Sequence, residues 1–343
     1  MCGHYSPLKT DSRKLKNGDL LKIDLGCHID GYIGQIAHTI VVGASKDNKV
    51  KGRKAEVIIA ARQVFEAMLE TIKKGKWNKN VTEIIKKAVE VYKCNPVEGV
   101  LSHRVKRHLI DCDEVIIGKE TFDQTVTDIQ FAQNEVYVID AIISTGEGKP
   151  KETEDRTTIY KRSLENTYIL KIKTARQFFS VVNKKYPTFP FSINGFEDIT
   201  SAKLGVKECL AHDLLTPYPV LKEKDGEFVA QFKATLLLNN SHTLILNEMP
   251  FEAENYELPT VTLDKEVLAV LDAHHKQVAI VGKPLSEEEK KKRKDKKKKA
   301  KKSKEKKPKA KDDKLKDDKP KEEKPKEKDA PKEAKKEEDK KSE

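Results

Sequence analysis

The stretch EVYVIDAIISTGEG, Glu135 to Gly148, is strand-like and apolar except for Asp140, which sits in the middle of the run. Val, Ile and Tyr fit a pleated, packed surface. A carboxylate held among them needs a partner, because an unpaired buried charge is too costly to keep. Any fold for this chain must therefore deliver a donor or a cation to Asp140 from elsewhere in the sequence.

Other segments have readable periods. Asp19 to Leu25 reads as a buried strand, and Asp30-Gly31 supplies the hairpin turn into Tyr32 to Val42. Arg53 to Lys74 has helical spacing, with Val57, Ala60, Ala61, Val64, Met68 and Leu69 on one side and Gly75 as its stop. A second helix is predicted from Thr82 to Tyr92, with Thr82 as N-cap, Ile84, Ile85, Ala88 and Val89 facing inward, and Cys94-Asn95-Pro96 after it. Thr174 to His212 reads as helical with aromatic and proline interruptions, and EFVAQFKATLLL, Glu227 to Leu238, as strand. The chain has no repeat of 20 to 50 residues.

The 343 residues are 36% charged, and the charge is concentrated at one end. Ser286 to Glu343 holds 28 Lys or Arg against 18 Asp or Glu, while Met1 to Leu285 holds 40 against 38. The expected organisation is a nearly neutral folded body, 1–285, and a disordered Lys-rich tail, 286–343. Five cysteines, Cys2, Cys27, Cys94, Cys112 and Cys209, form no C-x-x-C pair, which fits a reducing compartment. No apolar run reaches the roughly 20 residues a membrane helix needs, and no signal peptide precedes the first strand. The expectation is a soluble intracellular protein with no membrane partner.

Four segments, HYSP (His4 to Pro7), KIDLG (Lys22 to Gly26), LSHRVKRHLID (Leu101 to Asp111) and VAQFK (Val229 to Lys233), are spaced around VYVIDAIISTGEG. In this order they resemble the type 2 methionine aminopeptidases and their M24 relatives across nearly all of residues 4–250. The resemblance implies the α/β "pita-bread" fold, two related halves cupping a dinuclear metal centre, with a type 2 helical insert near 160–226.

In that family an Asp, a second Asp eleven positions on, a His and two Glu hold the metals. Here those positions fall on Asp24, Gln35, His103, Asp140 and Lys233. Asp24 and His103 match, and Asp140 is a shortened replacement, whereas Gln35 and Lys233 do not match. The second Asp and the last Glu bridge the two ions in the family, so both bridging charges are lost. An ammonium has three donors and no lone pair for a metal. At about 4 Å in an effective dielectric near 20, unit charges interact by roughly 4 kcal/mol, so a divalent ion beside it meets repulsion of about 8 kcal/mol. Lys233 can instead serve as the cation of the site, with Asp24 and Asp140 as counter-ions. The expectation is a remnant site: no metal, no cofactor and no catalytic residue. His4 and His103, at the family's substrate-pocket and ligand positions, then read as structural or surface histidines.

The departures resemble one group within that family, the proliferation-associated "Ebp" proteins, through GHYSPLK, LKIDLG, AHTIVV, GRKAEVI, EGVLSH, RTTIYKR and KEKDGEFVAQFK. That group lacks peptidase activity. The resemblance implies a scaffold on the large ribosomal subunit around the nascent-chain exit, binding rRNA and other RNA. It also implies cytoplasmic and nucleolar residence and roles in ribosome maturation, translation and growth control. Its members carry a substantial segment before HYSP, so a first helical layer and part of the N-terminal half are expected to lie outside this sequence.

Charge supports the RNA reading separately. Lys290 to Lys309 holds fifteen basic residues and two acids, an electrostatic profile suited to RNA or nuclear import. The candidate phosphate-binding residues there are Lys290, Lys291, Lys292, Arg293, Lys294, Lys296, Lys297, Lys298, Lys299, Lys301 and Lys302. Ala310 to Glu343 balances 13 basic against 13 acidic residues, a solvated polyampholyte. In the insert, Lys161, Arg162, Lys171 and Lys173 are further candidates, and Arg104, Lys106 and Arg107 surround the expected pocket opening. A solubilising tail and ordinary surface charge are the plain alternatives.

Two other classes stay open. An active methionine aminopeptidase requires Gln35 and Lys233 to be tolerated. A transcriptional corepressor needs L-x-x-L-L near the C-terminal end, where this chain reads LAVLD, Leu268 to Asp272, with an acid in the last place.

Overall fold

A computed structural model describes residues 1–281 apart from Ser12 and Ser241, with side chains to Lys276. Contacts divide the chain into Met1–Lys283 and Pro284–Glu343.

The body is built on an antiparallel sheet. Its first hairpin pairs β1 (Leu20–Ile29) with β2 (Tyr32–Val41) through Asp30 and Gly31, which take left-handed φ values of 51° and 85°. Those values are what a two-residue hairpin turn requires. β1 runs four residues beyond the expected end at Leu25, because every residue to Ile29 finds a partner on β2. After helices α1 (Arg53–Thr71) and α2 (Asn78–Glu90) come β3 (Asn95–Pro96), β4 (Leu101–Val105), β5 (Val115–Ile117) and β6 (Val136–Ser144). The chain continues through β7 (Lys151–Glu152), β8 (Ile159–Arg162), α3 (Lys173–Lys185), β9 (Phe191–Ser192) and α4 (Ile199–Ala211). It returns as β10 (Leu215–Tyr218), β11 (Leu221–Lys222), β12 (Val229–Leu238) and β13 (Thr243–Ile245), and ends its described part in α5 (Lys265–Val281).

Strand order in the main sheet is β1-β2-β12-β6-β4-β5, with β13 on β12 and β3 on β6. β12 and β6 are central and buried along nearly their whole length. They pack against α1, which also touches α2 and α5. This explains why α1 is apolar on more than one face: Val57, Ile58, Ala60, Ala61, Val64 and Ala67 are all fully buried.

The second helix starts one turn before the expected Thr82. Asn78 is buried and donates to the carbonyls of Val115 and Thr127, which ties the new start to distant chain. Thr82 therefore lies inside the helix, and its hydroxyl donates to Ile117 O at 2.7 Å instead of capping.

A second apolar cluster sits in the part between β8 and β10. Tyr160, Leu170, Phe178, Val182, Phe191, Val206 and Leu215 belong to it. α3 and α4 approach closely there because Gly205 has no Cβ, which would lie 2.5 Å from the Phe178 side chain. No helix among the described residues is long and apolar enough to cross a membrane.

Candidate functional site

The sheet register assembles the site. Asp24 on β1 pairs with Ala37 on β2, Ala37 with Lys233 on β12, and Lys233 with Asp140 on β6. These four residues form one row across four strands, so their side chains share a face. Ala37, at the gap in the row, is small enough for the Lys233 stem to lean over it toward Asp24. Lys233 Nζ lies 2.6 Å from Asp24 Oδ2 and 3.1 Å from Asp140 Oδ2. The partner that Asp140 demanded is this lysine.

Gln231, two residues before Lys233 on the same face, completes the arrangement. Its Nε2 donates to Asp140 Oδ1 at 2.9 Å, to Asp140 Oδ2 at 3.1 Å and to Asp24 Oδ2 at 3.3 Å. The backbone N–H of Asp140 donates to Ser102 Oγ at 2.9 Å. Sequence reading missed Gln231 and Ser102. The signal available for Gln231 was its spacing of two from Lys233 on a strand, a spacing that ordinary strand residues share.

Burial works against the Lys233 charge, but Asp140 and Asp24 outweigh it and hold the ammonium above the ordinary lysine range. Burial also pushes the Asp140 carboxyl up, with Lys233 opposing it. Lys22, a second amine on this face, donates to the backbone carbonyls of Met1 and Cys2. With no carboxylate in contact, burial pushes it down to about 8. The cation in contact with both carboxylates is therefore Lys233.

His103 lies on β4 opposite Val138, and its Nδ1 is 3.4 Å from Arg104 O. Burial pushes its imidazole down, against the pull of that carbonyl. Gln35 stands opposite Gly26, and its Nε2 is buried with no hydrogen-bond partner among the described residues. A pair of divalent ions does not fit this donor set. Lys233 already neutralises Asp24 and Asp140, Gln35 offers an amide where the second bridging charge is needed, and no cluster of three acidic, His or Cys groups suited to a metal occurs among the described residues.

The hairpin tip, the β4–β5 loop and the loop before β9 meet through their rings. His28 meets Phe189 at a tilt of 35° with ring centroids 4.4 Å apart, and His108 lies over the same ring at 6.4 Å and 26°. A Cβ at Gly31 would fall 2.4 Å from the His108 ring, so glycine is required by contact as well as by φ. Arg107 donates to Asp30 O and lies over the Tyr32 ring. Arg104 pairs with Glu114 and Glu135, and Lys106 with Glu114, so two of the three cations expected here are already neutralised.

The insert candidates divide into two kinds. Lys161 is ion-paired with Asp111, and Arg162 packs over Phe179 and donates to Pro187 O. Lys171 and Lys173 are exposed. His4 is exposed and contacts Pro219 O and the Tyr218 ring. The candidates from Lys290 to Lys302 lie outside the described residues.

With this geometry the comparisons agree. The model for metallopeptidase family M24 matches residues 2–153. Proliferation-associated protein A of Dictyostelium discoideum is 46% identical over 250 residues, covering 72% of this chain and 65% of that protein. The chain thus spans less than two thirds of that relative's length. Curved DNA-binding protein of Schizosaccharomyces pombe is 37% identical over 278 residues, covering 79% and 72%. A solved structure of a thermophilic Arx1 superposes with a TM-score of 0.68 at 25% identity, covering 82% of this chain and 80% of that one. The chain belongs to metallopeptidase family M24, on the branch of the proliferation-associated proteins.

Proposed function

We propose that the protein is a non-catalytic, aminopeptidase-shaped scaffold that binds RNA and the large ribosomal subunit and acts in ribosome maturation, translation and growth regulation. The observation that carries the non-catalytic part is the Lys233 ammonium between Asp24 and Asp140, which takes the electrostatic role of the metal pair. The resemblance to the proliferation-associated group supports the ribosomal part. The name of the fission yeast relative records nucleic-acid binding for that protein. Residence would be cytoplasmic and nucleolar.

In this reading the tail and body divide the work. Lys290 to Lys302 supply phosphate contacts, while Lys171 and Lys173, held on the insert, help set register on rRNA. The corepressor reading loses support from α5. Val267 and Leu271 are buried, leaving Leu268 42% exposed beside the exposed Asp272, so the leucines do not share one free face.

The test is co-sedimentation with ribosomes in sucrose gradients at several salt concentrations, comparing the full chain with a chain ending at Ser286. The full chain should travel with the large subunit. Truncation should weaken binding and flatten its salt dependence, since fewer phosphates are neutralised and fewer counterions released. Absence of the full chain from every ribosomal fraction at low salt contradicts the proposal.

A further inference from the structure

The turn between α1 and α2 reads Lys73-Lys74-Gly75-Lys76-Trp77-Asn78-Lys79, four lysines around the only tryptophan of the chain. Two of the four are neutralised, since Lys73 pairs with Glu70 and Lys79 with Asp128. Lys74 and Lys76 are exposed, and neither has an acidic partner among the described residues; Lys74 Nζ donates only to the Asn240 amide oxygen. The turn therefore carries uncompensated positive charge.

Backbone bonds fix its geometry. Gly75 N–H donates to Phe131 O at 2.8 Å, Phe131 N–H to Lys76 O at 2.9 Å, and Asn78 N–H to Ile129 O at 3.1 Å. Within this clamp Trp77 stands opposite Gln130 as an antiparallel pair, and residues directly opposite in such a pair put their side chains on the same face. Asn78, the next residue, is buried, so Trp77 points outward, its ring 40% exposed beside the exposed Gln130. Lys79 Nζ lies over the ring, 5.6 Å from its centroid. Gln130 Nε2 donates to Gly75 O at 2.9 Å, and among the described residues its Oε1 accepts nothing.

We propose that Trp77 is a stacking platform for one unpaired base of RNA, with Lys74 and Lys76 on the flanking phosphates and Gln130 Oε1 on the exocyclic amino group of the base. The proposal rests on the RNA-binding reading above and adds to it a site outside the insert and the Lys-rich segment. Stacking on an aromatic ring accepts any base, because every base has a π face. The free amide oxygen adds a preference for adenine or cytosine, whose amino groups donate, over uracil. A duplex keeps its base faces inside the stack and offers the ring nothing. A membrane surface is the poorer fit, because an interfacial anchor buries a broad apolar face, and here one ring stands among lysines and amides.

The test uses the full chain and the emission of its single tryptophan. At raised salt, where contacts of charge alone fade, single-stranded oligoadenylate should quench that emission saturably and oligouridylate should do so more weakly. An RNA duplex, followed by the anisotropy of a label on the RNA, should bind at low salt without quenching. Trp77→Ala should weaken oligoadenylate binding about tenfold, a factor equivalent to about 1.4 kcal/mol and within the range of one stacked base, with the slope against salt unchanged. Trp77→Phe should keep most of the affinity. Lys76→Gln should weaken all RNAs alike and lower the salt slope by about one. Vesicles containing phosphatidylserine should leave the emission where it is. Oligoadenylate bound without quenching, or bound equally well by Trp77→Ala, overturns the platform and leaves the RNA-binding reading standing. No binding of any RNA overturns both, and a blue shift with vesicles in place of quenching by RNA assigns the turn to a membrane instead.

Discussion

Asp140 and Asp24 answer to the same lysine from unlike surroundings. Asp140 stands on a central strand under α1, with its side chain 11% exposed, whereas Asp24 stands on the edge strand, 45% exposed. The edge carboxylate can turn to water if Lys233 is lost. The central one has only Gln231 and Lys233. The charge that holds this site together therefore acts mainly through Asp140, and a substitution should matter more the closer it lies to that residue, whatever its distance from the sheet edge.

The largest expected effect is that of Lys233→Ala. It leaves Asp140 buried without its cation, a change that costs about 3–5 kcal/mol for comparable pairs. Urea unfolding should show a correspondingly lower midpoint. Removing the charges together, in Lys233→Met with Asp140→Leu, should recover most of that loss, because a buried ion pair replaced by apolar groups is often neutral. An unchanged midpoint for Lys233→Ala would place the weight of the site elsewhere.

Gln231→Leu comes next. It removes two donors from Asp140 but leaves Lys233 in place, so a loss of about 1–3 kcal/mol is expected. Ala37→Leu should produce a similar loss by a different route, since overpacking costs typically 1–3 kcal/mol and the added volume blocks the lean of Lys233 toward Asp24. If the row account is right, this variant should spare the Asp140 contact, and Lys233→Ala made on top of it should still destabilise.

A smaller effect follows from pH. Burial pushes His38 down, with Arg62 adding to it, and burial pushes His274 down as well. Their folded values lie below the unfolded value of about 6.5, so the unfolded chain binds protons first as pH falls. Stability from these groups is full above pH 6.5 or so and drains away below it. Urea midpoints between pH 7.5 and pH 5 should fall, and His38→Gln should make the fall shallower. The smallest effect belongs to the edge: Leu25→Ala should change stability by less than about 0.5 kcal/mol, as expected for an exposed position.

Much of this was legible before any coordinates. The hairpin was marked by Asp30-Gly31, and the need of Asp140 for a partner followed from one acid in an apolar run. That Lys233 supplies it was implied by a family resemblance, and the register confirms it by setting the two residues opposite each other. Other parts were not legible for physical reasons. Gln231 looks like any strand residue until its amide is seen between two carboxylates. The early start of α2 depends on Asn78 reaching the carbonyls of Val115 and Thr127, which no local pattern announces. Lys161 reads as a phosphate-seeking cation, yet Asp111, 50 residues earlier, already holds it.

The central claim is that an internal ammonium has replaced the metal pair. Elemental analysis of the purified full chain, after equilibration with cobalt, manganese or zinc and removal of loosely held ions, tests it most directly. The account predicts no stoichiometric metal for the natural chain, and a gain in affinity for Gln35→Asp with Lys233→Glu, which restores both bridging charges. Two metal ions retained per natural chain would contradict it.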